Sequence, residues 1–274
     1  MRPDPGVALR VGRRAGGTVF TALAAVGDAR MRPSRSPSQA AARFGAAARA
    51  VCDLHGVAVT RHGELPGEPF VLVANHVSWL DAIVLGQLVP CMPIAKGEVA
   101  GWPVIGRGAD ALGVTFVDRA DPRSGARALR RALRALADGV TVLNFPEGTT
   151  TDGAQLLPFK RGIFGAARLA GVPIVPVAVR YAMPDVAWTG GDAFVPHYAR
   201  IAARPCIEAE LRVGEPIIPT ARDAARGLAN LARRQLATLL DLPTRIHEPA
   251  ARLRVPAPRP DAVLPPAARR LRAV

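Results

Sequence analysis

The run Phe70-Val71-Leu72-Val73-Ala74 is what most constrains the fold of this chain. Five consecutive apolar residues read as a buried strand, and a buried strand needs other layers packed on it. The run stops at Asn75-His76, and an apolar stretch from Trp79 to Leu88 then reads as a helix. Ser78 is a good N-cap, and Asp81, three residues on, resembles a capping box with Asp in place of the usual Glu. His76 therefore stands at a strand-to-helix turn. Asp81 stands in the first helical turn, where the helix dipole favours its ionised form. If both residues were helical, their spacing would set them about 140° apart. They meet only if His76 lies outside the helix and folds back over its N-terminus. A histidine held there by a carboxylate is a general base kept in one tautomer.

The same alternation runs along the chain. Val57–Thr60, Cys91–Ala95, Gly113–Val117, Val140–Phe145, Val172–Val179 and Ile207–Val213 read as further strands. Ala40–Leu54, a short piece from Trp102-Pro103 toward Leu112, Ala126–Leu136, Gly162–Ala170 and Ala221–Leu240 read as helices. Pro173 and Pro176 suggest an edge or bulged geometry for their strand. Pro184 to Pro196 reads as a long loop. Strands alternating with helices predict an α/β layered domain whose central sheet is mostly parallel or mixed and flanked by helices. Sites in such sheets gather at strand ends, and His76, Lys96, Arg119 and Glu147 each follow a buried strand.

The length of 274 residues and a hydrophobic share of 49% suit one globular domain with tails. The expected division is a basic arm over residues 1–35, flexible or lying on a membrane surface, a core domain over 36–242, and a Pro/Ala/Arg-rich tail over 243–274, expected to be disordered. The formal net charge is +14, almost all of it arginine, since Lys96 and Lys160 are the only lysines. That balance suits nucleic acid, an anionic membrane surface or a phosphorylated substrate. An aromatic content of 5% weakens the base-stacking alternative. Cys52, Cys91 and Cys206 are widely spaced in apolar surroundings and read as buried free thiols rather than a zinc site or a disulfide framework. No stretch reaches the length of a transmembrane helix.

Four blocks then appear in order. Asn75-His76-Val77-Ser78-Trp79-Leu80-Asp81 resembles N-H-x-S-x-x-D, Gly113 to Arg119 resembles G-x-x-F-x-x-R, Phe145-Pro146-Glu147-Gly148-Thr149 is similar to F-P-E-G-T, and Val172 to Val177 is similar to V-P-I-x-P-V. Together, between about residues 57 and 218, they resemble the lysophospholipid acyltransferase family. The resemblance implies O-acyl transfer from acyl-CoA or acyl carrier protein to a lysolipid hydroxyl, with no cofactor beyond that co-substrate and no metal. It implies 1-acyl-sn-glycerol-3-phosphate as acceptor, giving phosphatidic acid in phospholipid biosynthesis. It gives His76 and Asp81 the catalytic roles, and Arg119, Glu147, Gly148, Thr149 and Thr150 the binding of the acceptor. Lys96, Lys160 and Arg161 would meet phosphate or donor. One departure bears on the acceptor: phosphatidic-acid-forming members usually carry F-P-E-G-T-R, and here Thr150 takes the arginine's place. The form F-P-E-G-T-T-x-D-G resembles members that acylate lyso-ornithine lipids, the alternative acceptor. The expected setting is peripheral, on the cytoplasmic face of the inner membrane, with an anionic lipid surface and no nucleic acid as partner. Two other readings compete: a non-enzymatic basic scaffold binding membrane or nucleic acid, and a thioester hydrolase, for which no G-x-S-x-G elbow is present.

Overall fold

The computed structural model describes residues 4–67, 69–118, 120–189 and 192–242. Seven strands form one sheet: β1 (Val57–His62), β2 (Val71–Ala74), β3 (Cys91–Lys96), β4 (Thr115–Val117), β5 (Thr141–Asn144), β6 (Ile174–Tyr181) and β7 (Ile207–Val213). Their spatial order is β1-β7-β6-β2-β5-β3-β4. Every pairing is parallel except β6 with β7. β2 lies at the centre and is buried on both faces, as its unbroken apolar run requires.

Side chains alternate between the faces with period two. Leu72 and Ala74 pack into the core beneath α2 (Pro37–His55), α3 (Leu80–Gly86) and α8 (Phe194–Ala203). Val71 and Val73 pack into the core beneath α6 (Pro122–Ala137), α7 (Gly162–Ala170) and α9 (Ala225–Leu239). The short helices α4 (Gly97–Ala100) and α5 (Ile105–Ala111) connect β3 to β4. Because the strands of the parallel run point the same way, the chain leaves β2, β3, β4 and β5 on one side of the molecule.

β6 is interior, which corrects the edge expectation drawn from its prolines. Pro176 accepts a hydrogen bond at its carbonyl from Gly214 N (2.8 Å), just beyond the first antiparallel pair, Val177 with Val213. The missing N–H of the proline thus falls just outside that ladder, where the partner strand is already leaving register. The register also slips by one residue between that ladder and the Ile174–Ile217 bridge, so the bulge that the prolines suggested is there.

Within the arm expected to be flexible or to lie on a membrane surface, Pro5–Met31 form the first helix, α1, which docks on the domain. Asp4 caps it by accepting from Gly6 N (2.9 Å). Arg14 is buried, and its guanidinium donates to the carbonyls of Leu54, at the end of α2, and of Ala202, Arg204 and Pro205, at the end of α8. Those are helix-terminal carbonyls that lack intrahelical partners, and a cation there complements both the unpaired oxygens and the helix dipoles. Burial and the neighbouring Arg10 and Arg13 lower the pKa of Arg14. Close packing completes the dock: a Cβ at Gly17 would stand 2.6 Å from Leu54 Cδ2, and one at Gly108 of α5 would stand 2.7 Å from Ala22 Cβ.

The expected long loop after β6, Pro184 to Pro196, instead holds a 3₁₀ turn, Pro184–Val186, and the first three residues of α8. Cys52 and Cys91 are buried, and burial pushes both thiols up to about 12. Cys206, expected to be buried, is exposed, because it lies on the turn between α8 and β7. The tail expected to be disordered, 243–274, lies outside the described residues.

Candidate active site

The turn that carries His76 begins where β2 runs out. Asn75, buried, extends the β2–β6 ladder with its side chain: Nδ2 donates to Val179 O (2.9 Å) and Oδ1 accepts from Val179 N (2.8 Å). The main chain is then free to leave the sheet at His76. Backbone polar groups in such a turn must find partners elsewhere. His76 N donates to Glu147 Oε1 (2.9 Å), and His76 O accepts from Thr151 N (2.8 Å). Val77 N and Ser78 N both donate to Asp81 Oδ2 (2.8 and 2.9 Å), and Val77 O accepts from Trp188 N (2.7 Å).

Asp81 thus supplies the carboxylate half of the expected capping box. The serine half is displaced, since Ser78 Oγ reaches Leu80 N at 3.4 Å and the helix begins at Leu80. Asp81 has no exposed surface. Its Oδ2 also accepts from His76 Nδ1 (2.8 Å), and its Oδ1 accepts from the hydroxyl of Tyr181 (2.8 Å). A carboxylate only accepts, so Nδ1 carries the proton and the Nε2 lone pair is left for a substrate. The His76 ring stacks on Phe145, with centroids 4.0 Å apart and planes 14° apart. Its side chain keeps 20% of its surface exposed, against none for Asp81. A proton acceptor open to the outside and backed by a fully buried carboxylate is the geometry of general-base catalysis.

Glu147 is buried and both its oxygens are engaged by main chain, Oε1 by His76 N and Oε2 by Leu157 N (2.9 Å). It brackets the catalytic turn to the Leu156–Phe159 segment. Burial raises its pKa, against the lowering effect of the two N–H donors. Gly148 has φ +76, a conformation glycine adopts without strain. A Cβ there would lie 2.5 Å from Lys160 Nζ, so the absence of a side chain is what admits the lysine. Lys160 N in turn donates to Pro146 O (2.9 Å), tying the two segments. Thr149 is exposed and Thr150 partly so, on the same loop.

Of the other expected site residues, Lys96 lies apart from this cluster. Lys96 ends β3, two strands from β2, and pairs with Glu98 at 2.6 Å. Arg161 is exposed at the start of α7. Arg119 lies outside the described residues. Sequence reasoning missed Tyr181, Thr151 and Trp188, all of which reach the turn from more than 70 positions away. Tyr181 had one usable signal: it continues the alternation Val175, Val177, Val179 onto the face where α3 packs.

Known proteins resemble this chain. Residues 56–180 match the family profile described as Acyltransferase. A lyso-ornithine lipid O-acyltransferase of Brucella abortus is 35% identical over 211 residues, which cover 70% of this chain and 79% of that protein. The chain belongs to the lysophospholipid acyltransferase family. A second relative, the 1-acyl-sn-glycerol-3-phosphate acyltransferase of Neisseria gonorrhoeae, is 34% identical over 173 residues, 63% of this chain and 66% of its own. The crystal structure of the 1-acyl-sn-glycerophosphate acyltransferase of Thermotoga maritima shares the fold, with a TM-score of 0.63 over 86% of this chain and 93% of that one, at 22% identity. As an acyltransferase, the chain is an enzyme and not a binding scaffold, and the layered α/β architecture is the one its blocks implied. Among the described residues, no helix is long and apolar enough to cross a membrane.

Proposed function

We propose that this acyltransferase moves a fatty acyl group from a thioester donor, acyl-CoA or acyl carrier protein, to the free hydroxyl of a lyso-ornithine lipid. The observation that carries the chemistry is the 2.8 Å bond from His76 Nδ1 to a buried Asp81 that four donors hold in place. In the proposed step the acceptor oxygen attacks the thioester carbonyl while His76 Nε2 takes its proton. Asp81 stabilises the imidazolium that forms. The C–O bond forms, the C–S bond breaks, and the leaving thiolate takes the proton from His76. The acceptor itself is the nucleophile, so this reading needs no acyl-enzyme and no cofactor.

Two things support the lyso-ornithine acceptor. Thr150 puts one neutral hydroxyl where a charged, forked guanidinium would clamp a phosphate. Relatives from Brucella abortus, Rhizobium meliloti and Pseudomonas aeruginosa named lyso-ornithine lipid O-acyltransferase are 35, 36 and 36% identical. The chain covers 64% and 65% of the latter two. A second reading, acylation of 1-acyl-sn-glycerol-3-phosphate to phosphatidic acid, is favoured by Lys160, whose ammonium sits beside Gly148 on the loop that carries Thr149 and Thr150.

The lipid acceptor would be met from the membrane surface, in this reading the cytoplasmic face of the inner membrane. At 100° per residue, Leu9, Phe20, Leu23 and Met31 of α1 fall within about 80° of one another. They are 75, 71, 52 and 85% exposed, and Arg13 and Arg30 flank them. An apolar stripe edged with arginine suits an interfacial helix. The deciding experiment offers the purified chain labelled acyl-CoA or acyl carrier protein with a panel of lysolipids. Transfer to lyso-ornithine lipid over lysophosphatidic acid is expected, with Thr150→Arg shifting the preference toward the phosphate. A wild-type preference for lysophosphatidic acid would establish the second reading instead.

A further inference from the structure

Tyr181 lies outside all four sequence blocks, yet it touches the catalytic pair. Asp81 Oδ2 receives three donors, all from within five positions in the chain: His76 Nδ1, Val77 N and Ser78 N. Among the described residues, Oδ1 receives the Tyr181 hydroxyl alone, from the last residue of β6. The ring packs against the same core as Val177 and Val179, and a phenylalanine would fill that place equally well. Among the described residues the hydroxyl's hydrogen-bond partner is Asp81, so packing alone does not account for it.

We propose that Tyr181 is a positioning residue for the acyl transfer, its hydroxyl acting through Asp81 to set the orientation and basicity of the His76 imidazole. This rests on the general-base reading of His76. The hydroxyl pins the carboxylate plane so that Oδ2, and not Oδ1, faces the imidazole. It also draws negative charge toward Oδ1 and tempers the pull of Asp81 on the His76 proton. Without it the buried carboxylate is less stabilised and pulls harder on the imidazole. The imidazolium is then favoured, and more of the enzyme is protonated and unable to act as base at neutral pH.

Other ionisable groups face this pair. Glu147, from the loop after β5, holds His76 N–H. Cys52 of α2 faces Tyr181 but stays a neutral thiol, since burial pushes it up to about 12. The Lys160 ammonium stands beside Gly148. Burial, and then the charge of Asp81, raise the Tyr181 phenol well above its ordinary value, so it remains a donor across the working range.

The test uses the full chain with Tyr181→Phe and, separately, with 3-fluorotyrosine encoded at position 181. Fluorination keeps the ring and hydroxyl but makes the phenol a stronger donor. The first readout is the titration of the His76 imidazole by NMR, assigned by its loss in His76→Asn. The second is the acidic limb of kcat against pH. Removing the hydroxyl should move the His76 titration up by about half a unit to one unit. It should lower kcat at neutral pH by up to about three- to tenfold, the most that such a shift removes from the unprotonated form, while the acceptor KM changes less than about twofold. Fluorotyrosine should move the titration down. Shifts in opposite directions support the proposal, because a packing role would not reverse with donor strength. Wild-type titration in both variants, or a shift in the same direction accompanied by a lowered Tm, would overturn it. If the titration moves as expected and the limb of kcat does not follow, the coupling from Tyr181 to His76 stands and the general-base reading falls.

Discussion

Two substitutions at Asp81 separate what its shape does from what its charge does. Asp81→Ala removes the acceptor for Val77 N, Ser78 N, His76 Nδ1 and the Tyr181 hydroxyl. Each buried donor left without a partner costs ~1–3 kcal/mol. The two backbone N–H groups cannot turn away, so the loss is at least ~2–6 kcal/mol, a large part of the ~5–15 kcal/mol that holds an ordinary domain together. Asp81→Asn is different. Its amide oxygen is held at the Oδ2 position by the two backbone donors and still accepts from His76 Nδ1. Its NH2 then faces the Tyr181 oxygen, which can accept and turn its own proton away. The tautomer of His76 is therefore kept, and only the charge is lost. Two unit charges about 4 Å apart at an effective dielectric constant near 20 attract by about 4 kcal/mol, so stabilisation of the imidazolium should fall by ~10³ in kcat. Thermal unfolding and single-turnover acyl transfer measure the two effects. A folded Asp81→Asn enzyme with kcat about 10³ lower, beside a strongly destabilised Asp81→Ala, is expected. The reasoning is refuted if Asp81→Asn retains kcat within about threefold, or if Asp81→Ala unfolds at the same temperature as Asp81→Asn.

Glu147→Gln places an NH2 against either His76 N–H or Leu157 N–H, so it should lower Tm and kcat together, with little effect on acceptor KM in steady-state assays. His55 is buried, and burial followed by Arg14 lowers its pKa to about 4. The unfolded chain, with an ordinary value near 6.5, takes up a proton first as pH falls, so the contribution is complete above about 6.5 and is lost toward 4, on the order of 3 kcal/mol in all. His55→Gln should flatten the dependence of Tm on pH across that window, and an unchanged slope would assign the loss to other groups. Phe20→Ser with Leu23→Ser should weaken binding to anionic vesicles severalfold at constant salt and leave turnover on detergent-dispersed acceptor unchanged. Equal vesicle binding would remove α1 from the membrane contact. Surface substitutions are used because deleting α1 would also strip Arg14 from the ends of α2 and α8.

What could be read from the sequence was what is local. The central strands appear as apolar runs, and Val57–Thr60 and Ile207–Val213 as apolar/polar alternation, so all seven strands could be found. The His76–Asp81 pair spans six residues and obeys helix-start chemistry, so its meeting could be argued before any coordinates. Long-range contacts left no such trace. Arg14 reads as one more basic residue, and only the tertiary arrangement brings the carbonyls of two helix ends around it. Pro176 signals an edge until its N–H side is found just past the ladder. Tyr181 belongs to no turn or cap, and its partner is 100 positions away.

The bonds that shape the catalytic turn come from Glu147, Thr151, Tyr181 and Trp188, with Val179 holding Asn75. Each lies at least 70 residues downstream, across loops whose closure is slow compared with helix formation. The base is therefore completed only when β2, β5 and β6 are in register and the segment leading into α8 has closed over them. On the proposed general-base reading, a partly folded chain with helices and collapsed strands but no held imidazole transfers no acyl group. In refolding, catalysis should return last, well after the helical signal, making enzymatic activity the most stringent report of a finished sheet.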